Sequence, residues 1–200
     1  MANVFLTAEW RKLIMANYPV DPSALRPLLP VRTELDYWAG DAYVSLVGFQ
    51  FREVKVRGMK IPFHANFPEV NLRFYIRYKD GAEWKRGVVF IREIVPLPAV
   101  SLVANTLFRE RYISLPMRYE DVLDGETLRT RYEWKYKGRW NHLAVVASGR
   151  SLALRSGSQE EFITEHFWGY AHAGADRTGE YQVAHPALGG LSRSGVAYRL

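Results

Sequence analysis

The sequence predicts an α+β protein, mainly β, built on a curled antiparallel sheet or barrel with a few short helices. Several separate runs alternate apolar and polar residues with period two, and helical patterns are scarce. The aromatic share is 14%, with 6 Trp, 12 Tyr and 10 Phe, residues that favour pleated surfaces and cavity walls. With 200 residues, 48% of them hydrophobic and 24% charged, the chain suits one globular domain, expected over residues 1–186.

The first element reads as a helix. In Thr7–Pro19, "TAEWRKLIMANYP", Thr7 is a fitting N-cap and Trp10, Leu13 and Ile14 fall on one helical face. Tyr18-Pro19 would end it, and Asp21-Pro22 then opens a short helical turn. In "DAYVSLVGFQFREV" both parities are apolar, which predicts a strand covered on its two faces. From Asn71 to Lys79, Leu72, Phe74, Ile76 and Tyr78 alternate with Asn71, Arg73, Tyr75, Arg77 and Lys79. A hairpin turn at Asp80-Gly81 leads into a strand from Trp84 to about Ile94. "TRYEWKYKGRW" alternates as cleanly, and "NHLAVVASG" supplies its return strand. Two more helices are expected. "LPAVSLVANTLF" aligns Leu102, Val103, Thr106 and Leu107, and "SGSQEEFITEHFWGY" opens on a capping box from Ser158 to Glu161. The Gly- and Ser-rich residues 187–200 read as a flexible or altered tail, which would leave a sheet edge uncovered. The exposed sheet edge left behind would invite a homodimer.

Composition excludes several classes. With no cysteine there is no disulfide, thiolate metal site or Cys nucleophile. The net charge of +6 is spread along the chain without runs, which predicts a solvated basic surface and no nucleic-acid partner. No basic segment followed by an apolar stretch opens the chain, and its longest apolar region falls short of the roughly 20 residues that span a bilayer. A cytoplasmic protein with no membrane partner is expected. The histidines show no zinc spacing, and no phosphate loop or nucleophile elbow is present, so neither metal nor cofactor is expected.

Charged residues inside apolar runs mark the candidate site. Arg92 and Glu93 sit in "FIREIVPLPAV", where an unpaired buried ion would be costly. Without a bulge only one of them faces a given side of the sheet, and Pro96 and Pro98 point to a bend or bulge just there. Either Arg92 enters a cavity to hold a carboxylate, with Glu93 as its acid/base partner, or the two form an ion pair at a strand end. "FHANFPEVNLRFYIR" clusters His64, Glu69, Asn71 and Arg73, fit to bind a polar group or to tie down a loop. In "TEHFWGY", His166 and Tyr170 follow Phe162 at helical spacing beside Trp168, as core residues or as ligand contacts.

Five segments resemble the bacterial YqjF-like family of unknown function. They are "LTAEWRKLIMANYPVDPSALRPLLP", "ELDYWAGDAYVSLVGFQF", "IPFHANFPEVNLRFYIR", "GVVFIREIVPLPAVSLVA" and "SGSQEEFITEHFWGY". That family is placed in the acetoacetate decarboxylase-like superfamily, so the resemblance implies a cone-shaped antiparallel β-barrel around an apolar cavity. Acetoacetate decarboxylase carries Gly-Arg-Glu, an apolar residue, three variable positions and Pro-Lys-Lys, and its first lysine forms a Schiff base with the ketone. Arg92-Glu93-Ile94 and Pro98 match this pattern, but the two lysine positions fall on Ala99 and Val100. Lys60, Lys79 and Lys85 lie in polar or turn-adjacent contexts, so the resemblance implies a protein without the Schiff-base lysine.

The expected function is therefore that of a small-molecule-binding barrel with an apolar cavity. It would be either an enzyme acting on small carboxylate or keto compounds or a non-catalytic sensing module for hydrophobic compounds. Glu93, Glu69 and His166 are the catalytic candidates; Arg92, Arg73, Asn71, His64, Trp168 and Tyr170 are the binding candidates.

Overall fold

A computed structural model describes residues 4–148, 153–174, 176–184 and 194–199. The first half of the chain forms the long strands β1 (Val4–Val20), β3 (Ala42–Val56), β5 (Phe67–Asp80) and β6 (Glu83–Val95), with the short β2 (Thr33–Leu35) and β4 (Met59–Lys60) between them. The helical turn α1 (Pro22–Leu25) follows β1, capped by the Asp21 carboxylate, which accepts from the Ser23 N–H. Beyond β6 come α2 (Pro98–Val103), β7 (Tyr112–Ser114), β8 (Met117–Asp124), β9 (Thr127–Tyr136) and β10 (Arg139–Ser148). The chain continues through α3 (Gln159–Thr164), β11 (Trp168–Gly174), β12 (Arg177–Ala184) and β13 (Ser194–Arg199).

Pairing runs in the order β5-β3-β1-β13-β12-β11-β6, and β6 pairs with β5 in turn. The main sheet thus curls round on itself, as the alternation predicted. Its β11–β6 and β6–β7 pairs are parallel. β8, β9 and β10 form a separate three-stranded sheet.

The first element is a correction. Thr7–Pro19 lies within β1, paired with β3 along most of its length and with β13 at its start. Its register shifts between Arg11 and Ile14, where Lys12 adopts a positive φ of 53°. Leu6, Ala8 and Trp10 keep one parity before that bulge, and Leu13 and Met15 take up the same core after it. Two period-two runs displaced by one residue imitate a helical stripe, and long-range pairing decides the outcome. Of the residues expected as a tail, 187–193 and 200 lie outside the described residues. Ser194–Arg199 form β13, which occupies the edge on which the homodimer expectation rested.

On β5, Glu69, Asn71, Arg73 and Tyr75 share one face, and Val70, Leu72, Phe74 and Ile76 share the other. The outer layer packs Phe74 and Ile76 with Leu25, Leu35 and Tyr170. Inside the curl lie Val47, Phe49, Phe51 and Phe67 toward one end and Tyr43, Tyr75, Phe162 and Ile163 toward the other. β3 is therefore covered on both faces, as its two apolar parities require.

The small sheet docks through Tyr132, which is fully buried. Its ring lies over Gly48, where a Cβ would stand 2.6 Å from Cδ2, and its hydroxyl donates to the Lys12 carbonyl oxygen at the bulge (2.8 Å). Tyr132→Phe keeps the ring but leaves that carbonyl without its donor. It is expected to cost about 1 kcal/mol, read as a lower urea midpoint with an unchanged slope.

Candidate functional site

Two adjacent strands and the segment leading into a third each bring one glutamate to the inside of the curl. Glu69 comes from β5 and Glu93 from β6, paired in register with Asn71. Glu110 precedes β7, whose Tyr112 is the parallel partner of Glu93. A bulge makes the grouping possible. Arg73 pairs with Phe90 but Leu72 pairs with Arg92, so Ile91 is the extra residue on β6. That extra residue shifts the parity beyond it. Glu93 turns inward at 2% exposure, and Arg92 turns out into solvent.

The glutamates are joined by hydrogen bonds. Asn71 Nδ2 donates to Glu69 Oε1 and the Tyr112 hydroxyl to Glu69 Oε2, both at 2.9 Å. Glu93 is hydrogen-bonded to Glu110, and Glu110 also to Tyr181 of β12. Burial pushes the Glu69 carboxyl up to about 7, against the hydrogen bonds from Asn71 and Tyr112. Glu110 is likewise pushed up to about 7 by burial, opposed by its bonds to Tyr181 and Glu93. Glu93 rises well above the carboxylate range, through burial first and then through the charges of Glu110 and Glu69. Near neutral pH, Glu93 therefore keeps its proton and donates it to Glu110. The pair joins an acid to a base in one buried place.

A cavity of about 250 Å³ opens beside this cluster. Phe51, Val54 and Phe67 line one side, and Ala99, Val100, Val103 and Phe108 the other. Its polar lining is Glu93, Glu110, Tyr112, Tyr181 and His64, with no lysine or arginine among the described residues. The face expected to bury Leu102, Val103 and Leu107 is instead exposed. α2 lines the cavity through Ala99, Val100 and Val103, and only Val103 comes from that face. Ala99 and Val100, where the decarboxylase pattern has lysines, both line the wall. Lys60 pairs with Glu53, and Lys85 pairs with Asp80 and Glu180, all away from the cavity.

The remaining candidates are dispersed. His64 joins the cavity wall, its Nδ1 2.8 Å from the Pro62 carbonyl oxygen. Arg73 is half-buried between the two ends of the curl and lines a smaller cavity with His166 and Phe90. α3 ends at Thr164, so Phe162, His166 and Tyr170 do not form one helical face. Only the serine half of the box at its start forms, because Glu161 reaches the residue before the cap. Ser158 Oγ accepts from the Glu161 N–H at 3.2 Å, and the Glu161 carboxylate accepts from the Gly157 N–H at 2.6 Å. His166 lies 3.2 Å from Asp36 Oδ2, which also accepts from Arg86 at 2.6 Å. Burial lowers His166 to about 4, outweighing the bond to Asp36. Burial alone would raise Asp36, but its bonds to His166 and Arg86 leave it lowered. The imidazole is thus neutral near pH 7 and donates its Nε2 proton to Asp36. Tyr170 packs in the outer layer, and Trp168 lies half-buried beneath the Lys85 ammonium, 4.4 Å from its ring.

Glu110, Tyr112 and Tyr181 are the site residues that sequence reasoning missed. The backbone, and no local sequence signal, turns the first two inward. Arg109 takes a positive φ of 56° at the end of the turn Ala104–Phe108, and exposed Arg109 and Arg111 then alternate with inward Glu110 and Tyr112.

The family model described as an uncharacterized conserved protein, DUF2071, matches residues 7–189. The uncharacterized protein YqjF of Bacillus subtilis (strain 168) is 35% identical over 119 residues, 58% of this chain and 48% of that protein. The chain thus spans about half the length of the curated relative it matches. Among solved structures, acetoacetate decarboxylase from Legionella pneumophila is similar, with a TM-score of 0.61 at 13% identity over 100% of this chain and 74% of that one. The enduracididine biosynthesis enzyme MppR complexed with pyruvate gives a TM-score of 0.63 at 13% identity over 99% of this chain and 86% of that one. At such identity the likeness is one of fold. No helix among the described residues is long and apolar enough to cross a membrane.

Proposed function

We propose, from the premise that the chain belongs to the DUF2071 family of uncharacterized conserved proteins, that it takes a small, largely apolar organic molecule into the cavity beneath α2. The ligand's polar group meets the Glu93–Glu110 pair, which serves as the proton donor and acceptor of the site. One observation carries the reading: two hydrogen-bonded carboxyls stand at the wall of an otherwise apolar cavity. Two such groups out of water are costly, and a site that uses their proton accounts for that cost.

The chemistry differs from that of the decarboxylase the fold resembles. With Ala99 and Val100 in the wall and no lysine in the lining among the described residues, no imine forms there. Arg92 points outward, so the carboxylate clamp it would have supplied is not part of this reading. His166 is held by Asp36 elsewhere in the curl and takes no part at the cavity.

Calorimetric titration with six- to eight-carbon ketones and alcohols tests the proposal. Saturable binding to the wild type, lost in Ala99→Phe without a change in melting temperature, is expected. A panel with no binder, or equal binding to Ala99→Phe, removes the cavity from consideration. Borohydride treatment with pyruvate or acetoacetate is expected to leave the intact mass unchanged. A trapped adduct would show an amine nucleophile in the site.

A further inference from the structure

We infer that the polar end of this cavity is built for an organic cation, a primary ammonium or amidinium on an apolar body, and not for a carboxylate. The inference rests on the cavity reading above and names the class of ligand it takes. Glu93, at 2% exposure, lines the cavity, and its buried Oε2 has no hydrogen-bond partner. Glu110 also lines it, and its buried Oε1 is a second oxygen without one. Near neutral pH the pair holds fewer protons than it has oxygens to satisfy, so it presents acceptors in excess of donors to the cavity. A buried acceptor lacking a donor is costly, and the ligand group that relieves more than one is a donor with several N–H bonds.

Charge points the same way. Glu93 and Glu110 are in the wall with Glu69 behind Tyr112, whereas the lining holds no lysine or arginine among the described residues. The groups that face the pair are Glu69 and Arg73 from β5, Arg111 and Tyr112 at the entry to β7, Tyr181 from β12, and His64 before β5. Arg73 acts on Glu69 and Arg111 on Glu110, and neither lines the cavity. A carboxylate ligand would bring only acceptors and another negative charge. A bound ammonium favours the ionised pair, so the shared proton leaves to the buffer and an N⁺–H···O⁻ contact replaces it. The walls of Phe51, Phe67, Val100 and Phe108 take the hydrocarbon part.

Titration with hexylamine, hexanol and hexanoate separates the possibilities, because the three share one apolar body. At about pH 8, hexylamine is expected to bind roughly tenfold or more tightly than hexanol, with hexanoate weakest. The advantage shrinks at about pH 6, where the free pair holds its proton more firmly, and at pH 7 titrations in buffers of different ionisation heat show proton release. Glu93→Gln and Glu110→Gln, each checked for an intact fold by melting, should abolish the preference, bringing hexylamine down to the level at which the same variant binds hexanol. Hexanol or hexanoate binding as tightly as hexylamine would overturn the cation assignment and leave the cavity reading standing. Failure of all three probes to bind would overturn both.

Discussion

Glu110→Gln is expected to make the protein more stable at about pH 8, by about 2 kcal/mol, although it removes a hydrogen-bonded carboxylate. Its folded-state pKa is raised from 4.5 to about 7 by burial. A difference of about 2.5 units corresponds to about 3 kcal/mol at 1.36 kcal/mol per unit, and the lower figure allows for solvent near the group and for its coupling to Glu93. The sign follows from proton linkage. With the folded pKa above the unfolded one, the native state holds the proton more tightly between the two values. Stability from this source is fully present below about pH 4.5, falls as pH rises toward 7, and is flat above. Glu69 contributes in the same direction and over the same window. The wild type should therefore lose stability between about pH 5 and 7, and glutamine at position 110 should flatten part of that fall. Urea titrations at several pH values read both effects. A variant less stable than wild type at pH 8, with a pH profile parallel to it, would mean that position 110 ionises as an ordinary carboxylate.

The same buried carboxyls show what the sequence could and could not reveal. Alternation identified β5 and β9, because half-buried strands impose period two directly on residue choice, while β3 was legible from apolar residues on both parities and β6 and β10 as return strands. It misread β1, since the bulge at Lys12 displaces one alternating run against the next. A bulge also decided between Arg92 and Glu93. The adjacent prolines drew attention to a break in the strand, but the extra residue lies earlier, at Ile91, and nothing in the local sequence chooses that position over its neighbours. Glu69, Asn71 and Glu93 were legible as unusual charges in apolar strands, and they do meet. Glu110, flanked by two arginines, reads as surface. Its inward turn depends on the left-handed Arg109 and on parallel pairing of β7 with β6, both products of the whole fold. His166 and Tyr170 were joined by an assumed helix that stops at Thr164, and the chain beyond it enters β11.

Gly169→Ala is expected to damage fold and site together, and a double-mutant cycle with Tyr181 can show why. The two residues are cross-strand partners on β11 and β12, and the Tyr181 ring lies flat on the glycine. A Cβ at position 169 would stand 2.0 Å from Tyr181 Cζ and 2.4 Å from its hydroxyl oxygen. Tyr181 is 8% exposed and belongs to a packed cluster with Val183, Trp10 and Phe90, so the ring has little room to yield. Overpacking of this kind costs about 1–3 kcal/mol, and the displaced ring also gives up its bond to Glu110 at the cavity. Gly169→Ala alone should lower the melting temperature by several degrees and weaken ligand binding. Tyr181→Ala alone should cost stability by opening a void. In the Tyr181→Ala background the added methyl group meets no ring, so its cost should fall to a few tenths of a kcal/mol, leaving a coupling of about 1 kcal/mol or more. Additive losses would place the damage in the backbone of β11, and the aromatic ring would then have no part in requiring glycine there.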